Sequence, residues 1–198
     1  NKFSYLRIDS KELVLKKVLQ NEGYYFAEAT STLTNKNLQT LDLNKGFRSK
    51  IKLEKIQKFD IAEIKSIAKQ AFNFSRFHED LNISKEAVKL RYENWIDNLV
   101  EQNKDFLIYK NKNNRIIAFM AYEKIDGMVN LILGGSDLEF GHFTPFFWTS
   151  LFEKFQNDGI EGVNEVKVSA ANIVMLNLYY RFNFELKSTL FGFHRFNY

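Results

Sequence analysis

Three apolar runs, "DFLIYK", "RIIAFMAYEKI" and "GMVNLILGG", follow one another between residues 105 and 135. The breaks between them, "NKNN" and Asp126-Gly127, are turn sequences too short to hold a helix. Consecutive runs must therefore fold back on one another as antiparallel strands. After Gly135 the period changes. "PFFWTSLFEKFQN" reads as a helix, "VNEVKVSA" as a strand, "NIVMLNLYYRFNF" as a helix and "ELKSTLFGFHRFN" as a last strand. A meander followed by a strand-helix-strand unit predicts an α/β fold with a mixed sheet and helices on its faces.

Upstream, "IKLEKIQKFD" reads as a strand and its exit. Asp60-Ile61-Ala62-Glu63 has the capping-box pattern that opens a helix, with Ile61, Ile64, Ala68 and Ala71 on its buried face. Ser84 caps a second helix, whose buried stripe is Val88, Tyr92, Trp95 and Leu99. Thr144-Pro145 reads as a cap followed by proline at the first helical position. Nearer the N-terminus, Ser10 to Asn21 forms a short helix stopped by Gly23, and "YYFAEATSTL" a strand. The polar stretch "TNKNLQTLDLNKGFRSK" sets a boundary near residue 48, giving a small helix-strand domain over 1–48 and a larger domain over 49–198. "VLQNEGYYFAEATSTL" and "YYRFNFELKSTLFGF" echo each other as helix end, turn and aromatic strand; the echo is weak, and it reads either as chance or as the first ~45 residues forming a partial copy of the C-terminal helix-strand unit.

Composition removes several chemistries. The chain has 198 residues and no cysteine, which excludes disulfides, thiol nucleophiles and cysteine-based zinc sites. His78, His142 and His194 are far apart in sequence, so no metal site is expected. The net charge of +4 comes from scattered lysines and suits an anionic ligand better than a nucleic-acid stripe. No run is long enough to span a bilayer, and none reads as a signal peptide. The chain begins at Asn1, as a trimmed chain would, and its Lys/Asn/Phe-rich composition points to an AT-rich bacterial source. A cytoplasmic protein is expected; the sequence does not fix whether it is a homodimer.

Within "NIVMLNLYYRFNF", Val174, Met175, Leu178 and Phe182 form a core stripe. Asn172 and Tyr179 lie seven residues apart, nearly two turns, and so share a neighbouring face about 10 Å apart. As packing alone, Asn172 is a helix N-cap and Tyr179 an aromatic with its hydroxyl at the surface. Gly134-Gly135 lets the preceding strand bend toward a ligand, though an ordinary buried strand ends this way too.

The element order, with "AFNFSRFHED" then "LRYENWIDNLV", "VNLILGG" before a long helix, and "SAANIVMLNLYYRFNFELKSTLFGFHRF" at the end, resembles the GNAT superfamily of acetyl-CoA-dependent N-acetyltransferases. Within it, the whole chain is similar to the dTDP-fucosamine acetyltransferase (WecD-like) family, which acetylates nucleotide-linked amino-dideoxy sugars. The resemblance implies acetyl-CoA as co-substrate and direct attack by the amine, in surface-glycan synthesis. It makes Tyr179 the acid that protonates the coenzyme sulfur, with Tyr180 as the alternative, and Asn172 a contact to the coenzyme arm. It implies that backbone groups of Leu131, Ile132, Leu133 and Gly134 pair with the pantetheine amides as an added strand does.

The resemblance also implies a Gln/Arg-x-x-Gly-x-Gly/Ala loop before a helix, holding the pyrophosphate. Here "DLEFGHFTPFF" puts Leu138 and Phe143 at its ends when aligned on Gly141, and Pro145 supplies no N–H. Gly141, His142, Phe143 and Thr144 are left as the phosphate-side candidates. For the acceptor, Arg76 suits phosphate, Phe77 a base or sugar face, and His78 or Asp80 the amine proton; Tyr92 and Glu123 are further candidates. Acetylation of another amine, and a non-catalytic binding module, remain the alternatives.

Overall fold

The computed structural model describes residues 2–43, 51–71 and 77–197. Among them are eight strands, β1 (Lys2–Asp9), β2 (Tyr25–Asn35), β3 (Leu53–Lys55), β4 (Asp105–Lys110), β5 (Ile116–Ile125), β6 (Met128–Ser136), β7 (Gly162–Ser169) and β8 (Glu185–Asn197). The helices are α1 (Leu13–Asn21), α2 (Ile61–Ala71), α3 (Lys85–Glu101), α4 (Thr144–Asn157) and α5 (Ile173–Arg181). None is long and apolar enough to cross a membrane. The contacts divide the chain into two units, one from the described parts of 1–34, 74–84 and 167–198, the other from those of 35–73 and 85–166. This is not a division at residue 48, because residues 1–34 pack with the C-terminal segment rather than by themselves.

The larger unit holds the predicted meander. Its strands run β7-β6-β5-β4-β3, with β3 to β6 antiparallel in sequence and β6 parallel to β7. Leu107, Ile108, Phe119, Ile64, Ile96, Phe147, Phe152 and Phe155 form its buried apolar interior. The mixed sheet with helices is as the hydrophobic periods predict.

Three local expectations are corrected. The capping box belongs to Gln57 and Asp60, one turn earlier than expected: Gln57 N–H donates to Asp60 Oδ2 at 2.8 Å, while Glu63 accepts from Ile116 N–H at 3.0 Å. The buried stripe of α3 is Val88, Tyr92, Ile96 and Leu99, and the half-buried Trp95 packs under the Arg91 guanidinium at 5.1 Å instead. Thr144 is already helical, and its hydroxyl donates to Ser136 Oγ at 2.9 Å rather than capping α4.

Gly162 opens β7 where no side chain fits. A Cβ there would lie 2.3 Å from the Asn35 carbonyl oxygen and 3.0 Å from the Lys36 carbonyl carbon, both backbone. Gly162→Ala is expected to destabilise by about 1–3 kcal/mol, read as a lower urea midpoint. An unchanged midpoint would mean that the start of β7 shifts without cost.

The two ends of the described chain repeat one motif. β1-α1-β2 and β7-α5-β8 correspond at a constant offset of 160 residues, with Leu13 matching Ile173 and Asn21 matching Arg181. Both helices end on a left-handed residue, Gly23 (φ 78°) and Asn183 (φ 56°). Both then donate from the next residue back into the helix, Tyr24 N–H to Leu19 O and Phe184 N–H to Tyr179 O. The strands interleave as β1-β8-β2-β7.

The β2–β8 ladder has its own two-fold centre at Thr30↔Leu190, flanked by Ala29↔Phe191 and Ser31↔Thr189. Its two bulges obey the same symmetry, since the ladder skips Ala27 on one strand and Lys187, its equivalent, on the other. Two outer bonds match as well: Ser10 N–H to Thr189 O and Ala170 N–H to Ala29 O, each 2.8 Å. The expected echo is thus a whole strand-helix-strand copy, including a strand, β1, that hydrophobic periodicity does not mark.

Candidate functional site

The larger unit presents an interrupted strand. The β6–β7 ladder runs from Met128↔Gly162 to Leu131↔Val166 and stops. β6 continues to Ser136, paired with β5 through Ala118↔Ser136. At the same place β6 bulges: Tyr122 pairs with Leu131 and Ala121 with Leu133, so Ile132 is the extra residue. A bulge bends its own strand and breaks regular pairing, which accounts for β6 leaving the ladder here. Of the four residues expected to offer backbone groups to a ligand, Leu131 is the last in the ladder, and Ile132, Leu133 and Gly134 lie beyond it. Gly134 also seats the Met120 side chain, whose Cε would be 2.4 Å from an added Cβ. No sequence signal marks the bulge, because Ile132 looks like its neighbours.

Beyond β6, residues Leu138–Phe143 form a 3₁₀ helix leading into α4. Gly141 and His142 are exposed, Phe143 half-buried, and the His142 and Phe143 rings pack at 4.5 Å. An added Cβ on Gly141 would meet nothing within 4 Å, so this glycine is not demanded by space. The Thr144 N–H is taken by Gly141 O, and Pro145 has none, so two of the first amides of α4 do not point at a ligand. Glu139, an unfavourable charge for a phosphate site, is held with Asp137 by Arg115, at 3.0 and 2.5 Å. The hydrogen bonds that Arg115 donates to Asp137 and then Glu139 keep its pKa above the usual value.

In the smaller unit, Asn172 caps α5, its Oδ1 accepting from Met175 N–H at 3.2 Å. The buried side of α5 is one position out of phase with the prediction. Leu176, Leu178, Tyr179 and Phe182 are buried, whereas Val174 is 77% exposed. Tyr179 therefore lies on the packed side, 3% exposed, with its ring 4.9 Å from that of Phe184. Tyr180, its neighbour, is exposed.

The segment after α2 behaves differently from the expectation. Arg76 lies outside the described residues. Phe77 is buried among Phe3, Tyr5 and His194, with centroids 6.4, 6.3 and 5.8 Å away, so it is packing rather than an exposed stacking face. Asp80 is buried and fully engaged: Tyr25 hydroxyl and His194 Nδ1 each lie 2.6 Å from Oδ2, and Asn82 N–H donates to Oδ1 at 2.9 Å. Burial pushes its pKa up, but the hydrogen bonds from Tyr25, His194 and Asn82 outweigh this and hold it below the usual value. Asp80 is therefore an ionised acceptor, His194 Nδ1 is the donor, and Asp80 is not placed to take a substrate proton. His78 is half-buried, and burial lowers its pKa, which favours the neutral ring. Glu79, which is not among the residues expected at the site, is exposed and accepts from Ser169 Oγ at 3.0 Å.

Two remaining candidates are in the larger unit. Tyr92 is 4% exposed within the α3 stripe and serves packing. Glu123 is bound by Lys104 and accepts from Asn130 Nδ2 at 3.0 Å; the Lys104 and Asn130 bonds lower its pKa, a poor setting for a base. Among the described residues no cluster of three or more His, Cys, Asp or Glu side chains could hold a metal.

No protein-family model matches the chain, and no curated protein does. Solved structures do. A GCN5-related N-acetyltransferase from Sphaerobacter thermophilus superposes with a TM-score of 0.70 over 98% of this chain, at 13% identity. The fold is that of the GNAT N-acetyltransferases. A GCN5-related N-acetyltransferase from Kribbella flavida shares the GNAT fold at TM-score 0.61 and 12% identity over 98% of the chain. So does a tandem GNAT protein from the clavulanic acid biosynthesis pathway, at TM-score 0.60 and 9% identity, again over 98%. The chain spans 59%, 68% and 63% of these three GNAT chains respectively.

Proposed function

We propose that the chain is an acetyl-CoA-dependent N-acetyltransferase acting by direct attack of an amine on the thioester. The observation that carries this reading is the bulge at Ile132, coinciding with the end of the β6–β7 ladder. Strand backbone with no strand partner on one side is suited to pairing with the two amides of a pantetheine arm. In this reading Ile132, Leu133 and Gly134 supply that backbone, and Asn172 touches the arm while capping α5. Tyr179 gives its phenolic proton to the departing sulfur. A phenol with a pKa of about 10 suits a thiolate that develops late in the reaction. Gly141, His142 and Phe143 lie on the phosphate side.

The acceptor in this reading is a nucleotide-linked amino-dideoxy sugar, in cytoplasmic surface-glycan synthesis. Its support is the resemblance of "AFNFSRFHED" and the final strand-helix-strand to the WecD-like family, and His78 stays on the acceptor side as a neutral imidazole. Calorimetry with acetyl-CoA, followed by labelled acetyl transfer to a panel of amines, tests both levels. The panel holds dTDP- and UDP-4-amino-4,6-dideoxyhexoses, a peptide N-terminus and a polyamine. The expected result is binding, with transfer to a nucleotide amino sugar. Transfer only to the peptide or the polyamine would keep the enzyme and discard the sugar. The amides missing at the start of α4 favour a second reading, a non-catalytic GNAT-like binding module. No heat from acetyl-CoA at millimolar concentration would select it.

A further inference from the structure

Residues 77–84 are tied into the smaller unit by a buried polar knot. Asp80 receives Tyr25 hydroxyl, His194 Nδ1 and Asn82 N–H, and Asn82 Nδ2 donates to the Tyr25 hydroxyl at 3.2 Å. His194 is wholly buried, with Phe3 and Tyr5 packed edge-on at 4.8 and 5.4 Å. Among the described residues its Nε2 has no hydrogen-bond partner, so the polar use of this imidazole there is to hold Asp80. A network centred on two buried side chains, Asp80 and His194, restricts the backbone around it to one geometry. The residue it fixes next to Asp80 is Glu79, whose carboxylate reaches out to Ser169, the last residue of β7. Ser169 Oγ in turn accepts from Ala171 N–H at 3.2 Å, in the turn that leads to Asn172 and α5. A solvent-facing carboxylate is thus held at the C-terminal end of a strand, where open α/β sheets take their ligands. The helix after that turn carries Tyr179.

We infer that Glu79 is the proton acceptor for the attacking amine, and that Asp80, His194 and Tyr25 are its positioning residues. This rests on the acetyltransferase reading. The acceptor's ammonium gives one proton to Glu79, which passes it to solvent. The neutral amine then forms the N–C bond as the C–S bond breaks, and Tyr179 protonates the sulfur. The second amine proton restores the phenol, so the sum releases one proton. The Ser169 hydroxyl donates to the Glu79 carboxylate and takes no covalent part.

Two measurements test this. With the amine that the panel identifies, Glu79→Gln is expected to lower kcat/KM for the amine at least tenfold at neutral pH. It should also remove the acid limb of the pH profile, with acetyl-CoA affinity unchanged, and Glu79→Asp should restore part of both. Separately, hydrogen–deuterium exchange of residues 77–84 is expected to quicken at least tenfold in His194→Gln and in the near-isosteric Tyr25→Phe, with cooperative unfolding retained. A wild-type pH profile in Glu79→Gln overturns the base assignment. Unchanged exchange in a folded Tyr25→Phe protein overturns the positioning role, whatever the activity. Wild-type protein that transfers acetyl to no amine removes the acetyltransferase reading and the base with it, while the exchange result still decides the anchoring.

Discussion

Tyr179→Phe is expected to lower acetyl transfer at least tenfold while leaving acetyl-CoA affinity as it was. The two side chains differ by one hydroxyl, and Tyr179 is 3% exposed with its ring against Phe184, so phenylalanine keeps the packing. In the proposed reaction the substitution removes the proton for the departing sulfur, and removing a general acid costs about 10²–10⁴-fold. The loss should appear in kcat and kcat/KM together, the pattern of an interaction made only in the transition state. The pH profile adds a second reading, since the basic limb should flatten when the phenol is gone. Turnover unchanged in Tyr179→Phe but reduced in Tyr180→Phe would move the acid to the exposed neighbour.

Asp80→Ala is expected to cost about 3 kcal/mol at neutral pH, read as a fall in the urea midpoint. It leaves the wholly buried His194 Nδ1 without its acceptor, and with it the half-buried Tyr25 hydroxyl and the Asn82 amide. The pH dependence has a definite sign. The folded-state pKa of Asp80 is lowered from 3.8, so its contribution is fully present above that value. It is lost as pH falls through the lower folded value. Wild type and Asp80→Ala should therefore differ most near neutrality and converge only at strongly acid pH. A difference that instead vanishes between pH 5 and 7 would assign the effect to another group.

The meander and the terminal strand-helix-strand could be read from the sequence because their signals are local. "NKNN" and Asp126-Gly127 leave no room for anything but tight turns, and period 2 gives way cleanly to period 3.6. β1 could not be read this way. Lys2–Asp9 mixes charges with apolar residues, and its partner strand β8 begins at Glu185, so the pairing that makes it a strand is entirely non-local. Helix phase was readable only to within one position, as Ile96 for Trp95 on α3 and Leu176 for Met175 on α5 show. On a nine-residue helix two adjacent stripes score alike, and packing decides between them.

The site divided in the same manner. Asn172 announces itself as a cap, whereas Tyr179 enters the proposal through the family resemblance. Asp80 looked like a free carboxylate because His194, 114 residues away, leaves no trace near it. The bulge at Ile132 has no composition of its own.

The interleaving of the two copies bears on how the protein is made. Residues 2–35 leave the ribosome before residues 185–197, yet β1 pairs only with β8 among the described strands, and β2 takes β8 as a neighbour too. Until residues 185–197 have left the ribosome, both early strands hold out aromatic, hydrogen-bonding edges with nothing to fill them. Such long-range closure is slow. The larger unit has all its strand pairs within residues 53–166 and can be complete before then. The nascent chain thus carries a finished sheet behind an unfinished one, and that interval is when another chain with the same bare edge can intrude.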